Sequence, residues 1–427
     1  MISPIPSRVR RAPPARPAFW PRAGRWLVLL AGVGALLGWV FGAALPRRGQ
    51  AGSDDQVLVV RRGGTYTGNY RSSDSLVPCI SIETSEPVTL RGCVLTGAGN
   101  LIHANTGDAR LTVVNCRGYG LLPSRDQKRR GRFLEVSSAR SVRVEHNYFE
   151  QTTGISVYQW NGNGSPAETL TVRYNQCRNL DGRLRDGGEE FCNFLGLNGV
   201  LNVSSIEVAW NEVINEPNKS LVADNINFYN SSGTRRSPLR LHDNYIQGAY
   251  PFPASGSKYV GSGITLDGTG RAALTVTAYV DGYHNQVIST CNAAMNIAAG
   301  HDNRLHDNRI VSCGQLADGT RLPTDWAAVA VWNAYKQPPS VFYNNIITNN
   351  VIGYVRWGTS SPFPDRQDLS PDACAFCTAT THLPNPITRQ TEQAEWKRWH
   401  LKLRQNNIQV GPQLPTGAHR QLATSHP

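Results

Sequence analysis

An eight-residue unit, apolar-x-apolar-x-x-Asn-x-apolar, recurs along this chain and limits its possible folds more than any other feature. It reads VRVEHNYF (142–149), LTVRYNQC (170–177), IEVAWNEV (206–213), LRLHDNYI (239–246), NRLHDNRI (303–310) and LKLRQNNI (401–408). VTLRGCVL (88–95) and LTVVNCRG (111–118) put Cys in the Asn slot, and SVFYNNII (340–347) is a looser copy. The slot residues are Cys93, Cys116, Asn147, Asn175, Asn211, Asn244, Asn308, Asn345 and Asn406. Asn285, between the sixth and seventh, is a poorer fit. Counting it, and leaving the last gap aside, the slots lie roughly 23 to 41 residues apart.

Alternating apolar residues make a strand with one buried face. Two further residues and an Asn then make a bend, since Asn tolerates left-handed backbone and bonds its own chain locally. One such unit cannot bury its apolar face, so neighbours must stack. Stacked amides hydrogen-bond to one another, which makes a buried polar ladder tolerable. A β-sandwich with Asn-rich turns is the competing reading, but a sandwich has no reason to repeat one turn residue in one frame.

These units resemble the repeats of right-handed parallel β-helix proteins of the pectin-lyase-like superfamily, over roughly residues 57–410. The resemblance implies an all-β solenoid, here of about ten coils. It says little about the reaction, because one fold hosts many functions.

Residues 1–25 are Pro- and Arg-rich and cannot form a core. Residues 26–45 are 20 uncharged, mostly apolar residues, long enough to span a bilayer. Arg8, Arg10, Arg11, Arg16, Arg22 and Arg25 precede this stretch, and Arg47 and Arg48 follow it. The expectation is a single-pass anchor with a cytoplasmic N-terminus and a periplasmic or extracellular β-helix. A cleaved signal peptide, with Gly42 and Ala44 before the cut, is the rival. The first 50 residues carry eight Arg and no acid, so they supply eight of the net +12 charges. The remainder, at +4, is no nucleic-acid footprint. Residues 46–56 read as a linker. Residues 358–400 read as a long loop with a short helix at 391–400 that caps the open end of the stack. Residues 411–427 read as a frayed tail.

A second strand type follows each Asn unit. It reads Ile80-x-Ile82, Ile102-x-Ala104, Leu134-x-Val136, Ile155-x-Val157, Leu195-x-Leu197, Ile226-x-Phe228, Ile264-x-Leu266, Met295-x-Ile297, Val329-x-Val331 and Ile352-x-Tyr354. Period two sends the intervening residues outward. One outward column is Ser81, His103, Glu135, Ser156, Gly196, Asn227, Thr265, Asn296, Ala330 and Gly353. The next is Glu83, Asn105, Ser137, Tyr158, Asn198, Tyr229, Asp267, Ala298, Trp332 and Val355. In the resembled family, this face usually carries a polysaccharide cleft. Tyr158, Asn198, Asn227, Tyr229, Asn296 and Trp332 offer flat aromatic faces between amides, which suits a glycan. An ordinary solvated sheet face with aromatics covering loops is the plainer reading.

Catalysis is less defined. Glycoside hydrolysis needs two carboxyl groups across one bond. Asp267 has no carboxylate beside it in its column, so Asp224 and Asp302 would have to lean in from loops. His301 and Asp302 echo only faintly the Gly-His-Gly element of the polygalacturonase pattern, which is otherwise absent. His103 and Glu135 lie in neighbouring rows as a base and its partner. The His-Asp-Asn triplets at 242–244 and 306–308 sit on the Asn-turn face and read as turn residues. Asp181, Asp186, Glu189 and Glu190, interleaved with Arg183 and Arg185, offer oxygen ligands for calcium. Charge runs in loops are more often simply solvated, so no metal site is assigned and no cofactor is expected, with calcium the one candidate. Nine Cys in an exported chain permit disulfides. Cys93 with Cys116 either pair or stack, Cys291 with Cys313 is a second candidate pair, and Cys177 and Cys192 flank one loop. Cys374 and Cys377 suit a loop-closing bridge, and Cys79 is the thiol left over.

The sequence thus points to a membrane-displayed β-helix that binds or modifies a surface or extracellular polysaccharide. As an enzyme it would be a hydrolase, lyase or epimerase. The alternative is a noncatalytic adhesin or envelope scaffold.

Overall fold

The computed structural model describes residues 54–256 and 261–413. The basic segment 1–25, the apolar stretch 26–45 and the tail after residue 413 lie outside the described residues. Among those described, no helix is long and apolar enough to cross a membrane.

Among the described residues the strands form three parallel sheets: a first of ten strands, a second of eleven that opens with Gly64–Tyr66, and a third of eleven that opens with Asn69–Ser72. Each sheet takes every third strand of the chain, so one coil gives one strand to each sheet. The chain winds as a right-handed parallel β-helix of ten coils. Cys377–Thr378 and Thr381–His382 add a shortened eleventh. Alternation drives this arrangement. In Ser141–Glu145, Val142 and Val144 are buried while Arg143 is exposed. Each fully buried Val or Leu contributes ~1.5–3 kcal/mol. The inward residues of all three sheets meet in one continuous core, within which Phe133, Phe149 and Phe194 stack at centroid distances of 4.4 and 5.8 Å.

The Asn ladder exists, with altered membership. Asn147 Nδ2 donates to Asn175 Oδ1, and the same bond links Asn175 to Asn211, Asn211 to Asn244, Asn244 to Asn285, Asn285 to Asn308 and Asn308 to Asn350, all at 2.9–3.0 Å. Asn285 belongs because Leu305 fills the space where Gly282 breaks the apolar pattern; a Cβ on Gly282 would lie 2.5 Å from Leu305 Cδ2. Asn345 does not belong. It accepts from Asn303 at 3.1 Å in a separate stack at the entry to the second sheet. Asn350 takes its place in the ladder, hidden in the sequence because Asn345 occupies an apolar position of that unit. Asn406 is the C-cap of a helix.

The left-handed residue is also not the Asn. It is the residue before it: His146, Tyr174, Trp210, Asp243, His284, Asp307 and Asn349 all have φ of 52–60°. That conformation costs an L-residue ~1–2 kcal/mol. Buried amide hydrogen bonds, at ~1 kcal/mol each, offset it coil by coil.

Nine of the ten expected cleft-face strands lie in the ten-stranded sheet, here called the first. Leu58–Val60 opens that sheet. Ile352–Tyr354 instead lies in the third sheet, where Gly353 pairs with Val311. Gly353 and Val355 therefore leave the outward columns.

The end of the stack is closed by the segment expected to be a loop. Ala328 N donates to Gln367 O, Ser370 N to Val329 O and Val331 N to Ala373 O, so residues 367–373 run along the last strand of the first sheet. The buried pair Arg366–Asp368 and the disulfide Cys374–Cys377 fix this cover. The helix is longer than expected, Arg389–Gln405, and lies against the third sheet rather than over the end. LKLRQNNI is its last turn and exit, not a coil. Thr388 caps it through a reciprocal bond pair with Thr391. Trp399 Nε1 donates to Glu212 at 2.9 Å, and Glu395 accepts from Arg309 and Gln286. Beyond the helix the chain runs back over earlier coils, where Gly411 N donates to Tyr174 O and Gln413 N to Asn115 Oδ1.

Candidate functional site

The first sheet orders its outward residues as expected. Ser81, His103, Glu135, Ser156, Gly196, Asn227, Thr265, Asn296 and Ala330 are partners on consecutive strands. Beside them, Ser137, Tyr158, Asn198, Tyr229 and Asp267 form the second column.

Asp267 has a carboxyl companion. The strand Asp224–Tyr229 bends at its start because Asn225 turns inward, where its amide donates to Gly248 O and Ser262 O. Asp224 is thereby thrown onto the outward face. Its oxygens accept from Thr265 Oγ1 at 2.8 Å and Asn227 Nδ2 at 2.9 Å. Asn227 also lies beside Asp267, on the strand paired with it, so one amide stands between two carboxyl groups. Asn296 Nδ2 continues the line to Thr265 at 3.0 Å. Burial pushes both carboxyl pKa values up, and for Asp224 the charge of Asp267 adds to the rise. Gly268 N donates to Asp267 Oδ1 at 2.9 Å, and Tyr335, from a loop two coils further on, lies beside Asp267, where burial and the Asp267 charge raise its pKa. Tyr229 Oη lies 2.8 Å from Thr269 Oγ1. Two carboxyl groups in different surroundings, bridged by neutral donors, can exchange one proton across a bound bond.

The other candidate residues fall elsewhere. His301 is buried at the corner between the first and second sheets, stacked on Tyr343 at 4.6 Å. Its nitrogens face Asp302 at 2.8 Å and Ala273 O at 3.0 Å, so neither is turned to Asp267. Asp302 is held there too, accepting from Asn344. His103 and Glu135 do meet, at 3.6 Å, with Arg132 on the other oxygen of Glu135 at 3.3 Å. Glu135, the nearer, lies four strands from Thr265, ~19 Å away at the usual strand spacing, and His103 one strand further, so the two form a separate centre. Tyr158 and Asn198 are exposed, Asn296 is buried, and Trp332 packs edge-on against Trp326 at 5.3 Å.

The acidic loop is neutralised by arginines. Asp181 binds Arg130 and Arg183, Glu190 binds Arg129, and Asp186 accepts from Gln127 N at 2.8 Å. Its carboxylates do not converge as calcium ligands would. Among the described residues no group of three His, Cys, Asp or Glu gathers where it could share an ion. The triplet histidines lie on the second sheet. Tyr283 stacks between His242 and His306 at 4.9 and 5.4 Å, and each His faces carboxylates, Glu207 and Asp243 or Asp281 and Asp307. Cys374–Cys377 is the disulfide expected. The other seven cysteines are buried thiols, including Cys79, whose pKa burial pushes up to about 12. Cys93 and Cys116 remain unbridged, with their thiols donating to Tyr66 O and Leu90 O, and neither Cys291 with Cys313 nor Cys177 with Cys192 is bonded.

Sequence reasoning named Asp224 as a residue that would have to lean in, and the inward turn of Asn225 is what delivers it. Tyr335 carried no signal, because it belongs to no repeat and reaches Asp267 across two coils.

No family model matches this sequence, and no curated protein matches it. Among solved structures, the chain is similar to a mannuronic acid specific polysaccharide family 6 lyase from human gut microbiota. That likeness has a TM-score of 0.26 and 12% identity over 83% of this chain and 90% of that one.

Proposed function

We propose that the protein binds a polysaccharide along the outward face of the first sheet and acts on it at Asp224 and Asp267. One observation carries this reading: a carboxyl–amide–carboxyl line, Asp224–Asn227–Asp267, lies at the end of the column Tyr158–Asn198–Tyr229. The column supplies ring-stacking and amide groups, and the pair supplies acid and base. Asn227 bonds Asp224 and lies beside Asp267, so the two carboxyl groups flank one amide, and glycosidic cleavage uses two carboxyl groups placed across one bond. The proposal includes display outside the cytoplasm through residues 26–45, on the strength of their length and flanking charge.

The test is incubation of the full-length protein with acidic and neutral polysaccharides, with and without calcium. Reducing ends, unsaturated-uronate absorbance and chain length are followed together. Turnover lost in both Asp224→Asn and Asp267→Asn supports the reading. Turnover that survives both removes the pair from the chemistry.

A noncatalytic adhesin or scaffold is the second reading. It is favoured by the engagement of both Asp224 oxygens within the protein. It predicts binding with no change in any polymer, including by NMR of uronate epimers.

A further inference from the structure

The geometry points to a blind-ended track: the first sheet receives the terminus of a glycan chain, with Asp224 and Asp267 at the closed end. This rests on the polysaccharide reading above and adds the part of the polymer that is recognised.

The two outward columns are open on one side of Asp267 and closed on the other. Tyr158 is 47% exposed, Asn198 is exposed and Tyr229 is half-buried. From the Asp267 strand onward, residues of the same columns are covered: Thr265 is 7% exposed, Asn296 5%, Ala298 4% and Ala330 0%. Part of the cover is the chain that leaves Val329–Val331. It first continues the ladder beside the preceding coil, where Trp332 N donates to Ile297 O and Ala334 N to Ala298 O, both at 3.0 Å, and then reaches back to the loop after Asp267 through the Gln337 side chain. Ala298 follows Asp267 in its column, so this loop crosses the line a ligand would take along the stack.

The cover is built to stay. Asn333 and Gln337 close the loop on each other, Nδ2 to O and N to Oδ1, both at 2.7 Å. The Gln337 side chain is buried. Its Oε1 accepts from Gly300 N at 2.8 Å, and its Nε2 donates to Gly268 O at 3.2 Å and Gly270 O at 2.9 Å. One side chain thus bolts the wall to the loop that follows Asp267. Tyr335, between Asn333 and Gln337, faces Asp267. From Tyr158 to Asp267 is three strand steps, ~14 Å at the usual spacing, the length of a short oligosaccharide. A polymer lying along the stack meets the wall at Asp267, so only an end can occupy the site.

The test is calorimetric titration of the full-length protein with polygalacturonate and with β-glucan, each fractionated by size. End recognition predicts that binding per gram doubles each time mean chain length halves, because ends double. The double variant Tyr335→Gly, Gln337→Leu should flatten that dependence. The single variant Tyr335→Phe keeps the wall and should keep the dependence, which guards against misfolding of the double variant. Binding per gram that is independent of length in the unaltered protein, yet lost in Tyr158→Ala, would overturn the blind end and leave the polysaccharide reading standing. No binding of any fraction would overturn both.

Discussion

Asn211 and Asn244 sit in equivalent turns of consecutive coils, and the Asn211 amide donates to Asn244 Oδ1 at 2.9 Å. The same nitrogen donates to Val172 O, and the Asn211 oxygen accepts both the backbone and side-chain N–H of Asn175. Asn211→Ala therefore strands donors and an acceptor in a dry turn. We expect a loss of about 2–4 kcal/mol in denaturant unfolding. Asn406→Ala, at the helix C-cap, should cost less than about 1 kcal/mol. Equal costs would mean that the ladder does not hold the coils.

The second-sheet network should give stability a pH window. Glu207 is held down to about 2 from its ordinary 4.5, first by the hydrogen bond to His242, then by Arg240 and Arg173. Its contribution is complete above pH 4.5 and is lost as pH falls toward 2. Burial alone would lower the His242 pKa, but hydrogen bonds to Asp243 and Glu207 outweigh it and raise the value. That contribution is complete below the ordinary 6.5 and fades as pH rises through the raised value. Thermal unfolding should peak between these limits, and Glu207→Gln should flatten the acid side by roughly 1–3 kcal/mol.

At the carboxyl pair the sign reverses. Burial raises Asp267, so ionising it opposes folding, and stability falls as pH rises through its folded value. Asp267→Asn should unfold at the same temperature or higher at pH 7, while any turnover falls by about 10²–10⁴-fold. Loss of both activity and stability would mark Asp267 as a structural residue.

Trp399 anchors the helix. It is buried, stacks on Tyr245 and Trp210 at 5.8 and 6.2 Å, and donates to Glu212. Trp399→Ala should cost about 3–5 kcal/mol. Amide exchange should rise first across Arg389–Gln405 and the segment after it.

The coils were legible because their cause is local. Val142 and Val144 announce a strand wherever it packs, and Asn147 announces its turn. What escaped was decided across coils. Asn285 works because Leu305 fills in for Gly282 from the next coil. Asn350 is masked by Asn345, which serves another stack. LKLRQNNI satisfies the repeat in letters, but Trp399 and Leu403 bury at helical spacing. At the site, the outward columns followed from period two alone. The pairing of Asp224 with Asp267 did not, because it depends on one inward turn at Asn225. Nor did the approach of Tyr335, which depends on a loop with no repeat.

The return of the C-terminal segment changes how the molecule comes apart. A stack of coils in contact only with their neighbours can fray from either end, one layer at a time. Here Arg309 of the ninth coil is tied through Glu395 to a helix whose following residues bond Tyr174 of the fifth and Asn115 of the third. The line of coils becomes a loop of dependencies, so loss of an inner layer must also release a strap that spans several others. Because that strap follows all ten coils in the sequence, the cooperativity it confers is absent until every coil has been synthesised.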